Sequence, residues 1–413
     1  MAGHAPARRE FLSNGAALGC CLAASPILTP VTLASAPHDH RLVVIILRGG
    51  MDGLDVIRPL GDAAFSTLRP DLRLKETDRG MDLDGFFALH PALAGLMPLW
   101  RAGEFAAFHA VSTPYRGKRS HFDGQDVLES GIGLEDRQTR SDGWLNRVLQ
   151  QLPGAESETA YAIGRSDMLL TRGAAEVADW APDAALVLSP QAQSLLEMVM
   201  HDDPLFRDAT IEAIALSGTD LAAQPGRSAP RGGDMMNAMR ENMRAARGGA
   251  RPASIARFAA DRLRQDTRIA AFSLNGFDTH SRQDKSLPGS LERLAEAIMT
   301  LRNNLGPVWE RTTVAAMTEF GRTARLNGSG GTDHGTGGAM LLAGGAVRGG
   351  RVLTDWPGLA EADLFQGRDL RPTRDLRAPL GWLLRDLFGF EKRVIETAIF
   401  PGADMGPDPG LTR

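Results

Sequence analysis

The feature that most constrains the fold is the run RLVVIIL at residues 41–47, which is almost wholly apolar and rich in branched side chains. A strand buried on both faces has this pattern, because helices cover both faces of a parallel sheet. Similar short runs lie at residues 105–111, 185–188, 269–274, 312–317 and 339–343. The sequence therefore predicts a mainly parallel central sheet.

Helical patterns separate several of these strands. One helix is predicted to begin at Ser290, a good N-cap, to carry four leucines and an isoleucine on one stripe, and to end at Gly306. A second amphipathic helix follows Arg371, and residues 401–410 read as a surface tail. Alternating strands and helices predict an α/β fold of three layers, αβα, with a mainly parallel sheet.

The middle of the chain is less regular. Residues 37–413 are predicted to form a single α/β domain, in which residues from about 190 to 260 form a helical insertion over the sheet. A separate small domain is the alternative for this segment, although no strongly disordered linker isolates it.

Charge and hydropathy exclude several classes of partner. The chain has 46 Lys and Arg against 50 Asp and Glu, and no long basic run, so it lacks the footprint of a nucleic-acid-binding protein. No apolar stretch of roughly 18 or more residues follows the first forty residues, so no membrane span is expected there. The glycines between Gly49 and Gly53 do not form a dinucleotide fingerprint, which leaves a cofactor-dependent oxidoreductase without support.

The N-terminus has the three parts of a twin-arginine export signal. RREFL at residues 8–12 precedes a weakly apolar run at residues 15–33 and the small residues Ala34, Ser35 and Ala36. Residues 1–36 are therefore predicted to be a signal peptide, and the protein to be periplasmic or extracellular. The alternative is a mobile tail that happens to contain two arginines.

Both cysteines, Cys20 and Cys21, lie within the predicted signal. The mature protein would then contain neither a disulfide nor a thiolate-bound metal. A lipid anchor at Cys20 is an alternative, although that motif usually has a larger aliphatic residue than Ala17.

Metal-ligand residue types follow the predicted strands, at the sheet edge where open α/β sheets bind ligands. The candidate ligands are Asp52, Asp278, His280, Glu319, Asp333 and His334. Carboxylates combined with one or two imidazoles suit Zn²⁺, Mn²⁺, Mg²⁺ or Ca²⁺, as one or two ions. The prediction depends on the group rather than on any single member.

Each candidate also has an ordinary structural interpretation. Asp52 would cap the helix that follows it, and Asp278 would form an Asx turn. The loop with Asp333 and His334 would be a plain surface loop, and Glu319 would be solvated or paired with an arginine, Arg322. A structural role is expected for three other histidines in apolar or helical contexts, His90, His109 and His201.

Ser120 lies before a predicted helix, where backbone N–H groups and the helix dipole favour an anion. Arg116, Lys118 and Arg119 add positive charge nearby. Ser120 is therefore a candidate nucleophile for a phosphoryl or sulfuryl centre, with N-cap as its compatible structural role. Arg119 and Arg322 are the candidates for clamping the anion.

Six motifs in order resemble one family over almost the whole mature chain. They are RREFL at 8–12, LRGGMDGLD at 47–55, RSHFD at 119–123, FDTH at 277–280, TEFGRT at 318–323, and GTDHG at 331–335 followed by GGAVRGG at 344–350. Together they resemble the twin-arginine-exported proteins catalogued as domain of unknown function 1501. That family is grouped with the alkaline phosphatase and sulfatase superfamily, whose members are metal-dependent hydrolases or transferases of phosphate and sulfate esters.

The resemblance implies roles residue by residue. Asp52 resembles the first-strand metal aspartate and Ser120 the nucleophile, while Asp278 and His280 resemble the Asp-and-His pair of the outer metal. His334 resembles the late histidine before the next strand. Glu319 occupies the aspartate position of an Asp-His pair, and the residue after it is a phenylalanine instead of the histidine.

The rival alignment takes Asp333 and His334 as that pair, and then no later histidine completes the outer site. Either way one histidine is missing, which implies one firmly held metal, or two of unequal affinity.

Two functions follow from these observations. The first is an exported, metal-dependent hydrolase of phosphate or sulfate esters, or a transferase of such groups, acting on a small-molecule or polymer-borne anionic ester. The alternative is a catalytically degenerate envelope protein that uses the same fold for binding or assembly, with room for a co-exported protein partner.

Overall fold

The computed structural model describes residues 39–70, 79–117, 119–134, 141–164, 168–180 and 252–413. The predicted signal peptide, the predicted strand at 185–188, His201 and most of the predicted insertion lie outside these residues. The last part of the predicted insertion is described, and it forms a helix, Pro252–Leu263.

The apolar run at residues 41–47 forms the central strand β1, Arg41–Arg48, whose first seven residues are buried. It pairs in parallel with Ile269–Asn275 on one side and with Thr312–Met317 on the other. Its branched side chains point alternately to the two faces, and both faces are covered. The prediction that this run forms a buried parallel strand is confirmed.

The strands of the described residues follow in chain order. They are β1 (Arg41–Arg48), β2 (Ile57–Arg58), β3 (Met81–Asp82), β4 (Ala88–Leu89), β5 (Phe105–Ser112), β6 (Ala160–Ile163), β7 (Ala178–Trp180), β8 (Ile269–Asn275), β9 (Thr312–Met317), β10 (Gly338–Ala343), β11 (Arg351–Leu353) and β12 (Arg374–Asp375). Among them, the main sheet has the order β11-β5-β10-β9-β1-β8-β6-β7, and β12 pairs with β5. Strand β10 runs antiparallel to both β5 and β9, and the other pairings of this sheet are parallel.

Helices pack on both faces of the sheet. In chain order they are α1 (Gly53–Val56), α2 (Phe65–Leu68), α3 (Met97–Arg101), α4 (His121–Ser130), α5 (Trp144–Gln151), α6 (Pro252–Leu263), α7 (Gln283–Leu305), α8 (Arg377–Phe388) and α9 (Lys392–Val394). Helices α3, α6 and α7 pack against one face, and α4, α5 and α8 against the other. The predicted αβα layers are confirmed. Within the described residues, no helix has the length and hydropathy to cross a bilayer.

Helix α7 begins seven residues earlier than predicted, at Gln283 instead of Ser290. Pro288 lies inside the helix as its sixth residue, where the missing N–H removes one backbone hydrogen bond, and the buried side-chain hydrogen bonds of Gln283 hold the first turn in place. Ser290 is buried inside the helix, and its hydroxyl donates to the Gly276 carbonyl at 2.7 Å. The predicted end before Gly306 is confirmed.

The C-terminal segment is not the surface tail expected from its glycines and prolines. Ala403 and Met405 are buried in the core, and the Met405 carbonyl accepts a hydrogen bond from the Trp382 indole at 2.9 Å. Further on, Thr412 forms an isolated bridge with Val347. Apolar residues between the turns thus hold this segment against α8.

Candidate metal centre

Polar loops meet at the edge where the parallel strands end. Strand β1 leads to Asp52, β8 leads to Asp278, and β9 leads to Glu319. Strand β5 ends at the same edge and is followed by Ser120 and α4, whereas β10 runs the opposite way and begins there, just after His334. The topology therefore gathers residues that are more than 280 positions apart in the chain.

Three donors form the centre of the site. One ligand atom from each of His121, Asp278 and His334 lies within 4.8 Å of the other two. His280 stands beside them, with Nε2 at 3.0 Å from Asp278 Oδ1 and 2.9 Å from His334 Nε2. We call these four residues the histidine cluster. Asp278 is its hub, because His334 Nε2 lies 3.3 Å from Oδ1 and His121 Nε2 lies 3.4 Å from Oδ2.

Each histidine of the cluster is oriented through its other ring nitrogen. Nδ1 of His121 donates to Glu319 at 2.9 Å, Nδ1 of His280 donates to Asp333 at 3.2 Å, and Nδ1 of His334 donates to the Arg119 carbonyl at 2.7 Å. Oxygen acceptors at Nδ1 leave the Nε2 lone pairs facing inward. Metal-bound histidines are oriented by partners of this kind.

The electrostatics favour the donor form at two residues of the cluster, Asp278 and His334, and the protonated form at His121 when no metal competes with the proton. Burial raises the pKa of Asp278, but the hydrogen bond and charge of Arg322 outweigh it, so the pKa is lowered and the carboxylate stays ionised. Burial lowers the pKa of His334, which favours the neutral ring. The hydrogen bond to Glu319 raises the pKa of His121 and makes that ring more basic.

These residues fit a metal ion on two observations. His121 Nε2 is buried and, within the described residues, has no hydrogen-bond partner. The Nε2 atoms of His280 and His334 lie 2.9 Å apart with their lone pairs inward, an arrangement that repels unless a cation or a proton lies between them. Around a tetrahedral ion with bonds of 2.0–2.1 Å, donors lie roughly 3.3 Å apart, close to the distances of this cluster.

Asp52 lies deeper and is already saturated. It caps α1 through Leu54 N, pairs with Arg69 at 2.7 and 3.2 Å, and accepts from Gln283 at 2.6 Å. It lies outside the group of mutually close donors. With Asp55 and Arg58, which form a second ion pair at 2.8 Å, these residues make a buried ion-pair network: Asp52, Asp55, Arg58, Arg69 and Gln283.

Glu319 lies behind the cluster rather than in it. It is fully buried, and its oxygens accept from Gly49 N, His121 Nδ1 and the Thr318 hydroxyl, each at 2.9 Å. Burial raises its pKa, but these hydrogen bonds outweigh the burial and keep the carboxylate ionised. Its position is that of an orienting partner of His121. Phe320, which follows it, stacks on the His121 ring at 5.2 Å.

Arg322, one candidate for clamping an anion, directs its hydrogen bonds into the protein instead. It is buried and donates to Gly50 O at 2.6 Å, to Thr332 O at 2.9 Å, to Gly49 O, and to Asp278 Oδ1 at 2.5 Å. The arginine therefore holds the loops after β1, β8 and β9 together and fixes the hub carboxylate.

Ser120 occupies the N-cap of α4, as its structural interpretation predicts, and accepts from Asp123 N at 3.5 Å. Arg119 has a φ of +53°, which turns its carbonyl towards His334. Its side chain is partly exposed and lies 3.5 Å from Asp369. Asp333 is also half exposed, and it orients His280 instead of joining the group of close donors.

The structural interpretation of the buried histidines is confirmed for His90 and His109. The Nδ1 of His90 accepts from Ala92 N at 3.0 Å and caps the 3₁₀ turn Pro91–Leu96. His109 is fully buried and bonds the Ile57 carbonyl at 2.9 Å.

Sequence reasoning missed one member of the cluster, His121. The motif RSHFD at 119–123 contains His121, but the residue predicted to act there is Ser120. The signal was available, because the first residue of a helix that follows a strand at this edge also faces the site. By this rule His121 is a candidate ligand on the same grounds as His280 and His334.

The fold and the site define an α/β protein of three layers with a candidate metal centre at the carboxyl edge of its sheet. Residues 39–397 match the family described as "Protein of unknown function (DUF1501)", and the chain belongs to this family. The resemblance to this family is confirmed for the motifs within the matched residues, and the twin-arginine signal, which precedes them, stays a prediction.

Among solved structures, the chain is similar to a protein in the alkaline phosphatase superfamily from Vibrio parahaemolyticus, with a TM-score of 0.36 and 11% identity. The match covers 84% of this chain and 66%, just under two thirds, of that one. No curated protein matches the sequence.

Proposed function

We propose that this protein is a metal-dependent hydrolase of phosphate or sulfate esters that acts outside the cytoplasm. The observation that carries the proposal is the convergence of three oriented imidazole nitrogens on one carboxylate, Asp278. His121, Asp278 and His334 would hold the ion, with His280 as the adjacent fourth donor. When bound there, a divalent cation supplies Lewis-acid stabilisation of charge on an ester oxygen.

The donor set narrows the choice of ion. Calcium and magnesium prefer sites made of oxygen ligands, whereas imidazole suits zinc and iron. A cluster of three imidazoles and one carboxylate therefore favours zinc or a neighbouring first-row ion. We propose one such ion for each chain, since Asp52 and Glu319 are already occupied by other partners.

Other residues would bind and orient the ester. Helix α4 begins at His121, so its free N–H groups and dipole favour an anion beside the cluster. Ser120 at its cap is the proposed nucleophile, and Arg119, which is partly exposed, is the proposed anion contact. Arg322 is buried and fixes Asp278 instead.

Elemental analysis of the purified protein tests the metal. We expect about one zinc or iron ion per chain in the wild type and a loss of most of it in His334→Ala. His90→Asn is the matched control, because His90 caps a turn outside the cluster and asparagine is also a good cap. Equal metal in all three proteins, or none in the wild type, contradicts the proposed centre.

Hydrolysis of aryl phosphates and sulfates tests the reaction. The metal-loaded wild type should release the aryl alcohol, chelation should abolish this, and Ser120→Ala should abolish it with the metal retained. A loaded wild type that turns over neither ester class contradicts the hydrolase.

A binding or assembly protein is the second candidate, favoured because Arg322 and Asp52 are buried and bond other parts of the protein instead of facing a ligand. It predicts a metal without turnover.

Export is tested separately, because changing Arg8 and Arg9 to lysine should retain the protein in the cytoplasm if the twin-arginine route carries it.

A further inference from the structure

Gln283 joins the buried ion-pair network to the loops that carry the metal ligands. It is the first residue of α7 and is 2% exposed. Its amide nitrogen donates to Asp52 Oδ2 at 2.6 Å and to Asp55 Oδ2 at 2.9 Å. Its amide oxygen accepts from the hydroxyls of Thr279 at 2.8 Å and Thr332 at 2.7 Å. This buried amide thus donates two hydrogen bonds and accepts two, which is all that an amide side chain can form.

The two threonines lie inside the ligand loops. Thr279 stands between Asp278 and His280, and Thr332 stands two residues before His334. The loops also bond each other directly, because Thr332 N donates to Thr279 O at 3.0 Å. A displacement of the Gln283 amide would therefore move the loops that carry three members of the histidine cluster, Asp278, His280 and His334.

The amide nitrogen of Gln283 faces two carboxylates that are fixed in position. Asp52 is held by Arg69, and Asp55 is held by Arg58, so two carboxylates face two guanidinium groups in a buried space. The charges balance, and the group between the carboxylates must be a neutral donor. An amide meets this requirement and presents its oxygen to the two hydroxyls, whereas an apolar side chain would leave buried acceptors without a donor.

We infer that Gln283 is a positioning residue for the metal centre. Its amide transmits the fixed position of the buried ion-pair network to both ligand loops, and so sets the spacing of Asp278, His280 and His334. This inference rests on the proposed metal function and adds the residue that sets the affinity of the site. Groups that orient metal ligands change affinity about 10–100-fold when they are removed.

The test compares Gln283→Leu with Asn146→Leu. Asn146 is the matched control, because it is another buried amide with four hydrogen bonds, to Thr171, Ala175 and Gln150, remote from the cluster. We expect Gln283→Leu to bind zinc at least about tenfold more weakly in chelator competition and to alter the visible spectrum of the cobalt-loaded protein. Asn146→Leu should lose stability but keep the wild-type affinity and spectrum.

A second variant protects the test against misfolding. Thr279→Val with Thr332→Val removes both hydroxyls while leaving the ion pairs intact, and it should reproduce the weaker binding. If both altered proteins bind zinc as tightly as the wild type, the inference is overturned while the metal centre stands.

Hydrogen exchange of the metal-free proteins tests the inference even if the wild type binds no metal. The amides of residues 278–280 and 332–334 should exchange faster than in the wild type in the Gln283 and threonine variants. Their exchange rates should be unchanged in Asn146→Leu. Unchanged exchange in all of them overturns the positioning role.

Discussion

Asp52 and Asp278 follow neighbouring strands at the same edge of the sheet, yet their environments are opposite. Asp52 is fully buried, and its oxygens accept hydrogen bonds from Arg69, Gln283 and Leu54 N. Asp278 is 44% exposed and is surrounded by imidazole nitrogens whose lone pairs face it. A saturated carboxylate supports the fold, whereas one that faces unsatisfied nitrogens is available to an ion.

The difference arises from the counter-charge. Arg69 lies 17 residues after Asp52 and gives two donors to it and one each to the carbonyls of Thr323 and Ala324. Arg322 gives a single donor to Asp278 and bonds mostly carbonyls. The hub carboxylate therefore keeps oxygen capacity for another cation.

The largest expected effect comes from breaking the buried pair. Asp52→Ala leaves Arg69 buried without its counter-ion, which costs about 3–5 kcal/mol of the free energy of unfolding. Asp278→Ala should cost less, about 1.5–3 kcal/mol in the metal-free protein, because Arg322 is buried but keeps its carbonyl partners and Asp278 itself is partly solvated. Urea denaturation of both variants without metal measures the two costs. Similar losses would show that the two carboxylates do not differ in the way described.

The two regions also predict opposite dependences on pH. Burial lowers the pKa of His109 to about 4, and burial likewise lowers the pKa of His90, beside the buried ion-pair network, to about 4. Between pH 6.5 and 4 the unfolded chain binds protons at these histidines and the folded chain does not, so stability falls by up to about 3 kcal/mol for each. The pKa of His121 is raised by Glu319, so its contribution to the stability of the metal-free protein is lost as the pH rises instead.

A single substitution isolates the buried contribution. His90→Asn keeps a cap for Ala92 N but removes one titrating group, so the decrease in stability from pH 6.5 to 4 should shrink by up to about 3 kcal/mol. Urea denaturation at several pH values, without metal, measures this decrease. An unchanged dependence of the free energy of unfolding on pH would mean that His90 does not stay neutral in the folded protein.

Much of the fold could be predicted, because its information is local. The buried strands β1, β8 and β9 are continuous apolar runs, and these can be read from the sequence directly. The start of α7 could not, because Gln283 is held by contacts with residues that lie more than 200 positions earlier. The local pattern, with Ser290 as a good N-cap, pointed to a later boundary.

The site could be predicted in its location but not in its membership. The rule that ligands gather at the carboxyl ends of strands led to Asp278, His280 and His334. It also led to Asp52, and nothing local indicates that Arg69 pairs with that carboxylate. Which side chain is saturated depends on partners brought in by the fold.

The smallest expected effect concerns the orienting partner of His121. Glu319→Gln removes a buried negative charge but keeps the shape of the side chain, so the fold should persist. His121 would lose the acceptor that raises its pKa, and its Nε2 would become a weaker donor. We expect zinc affinity to fall about tenfold, a change measured by chelator competition, and the pKa of His121 in the metal-free protein to fall in an NMR titration. Glu129→Gln is the control, because Glu129 is a buried carboxylate on the same helix that pairs with Arg48 and touches no ligand of the cluster. If both glutamate variants weaken binding equally, the effect belongs to the stability of α4 and not to the orientation of His121.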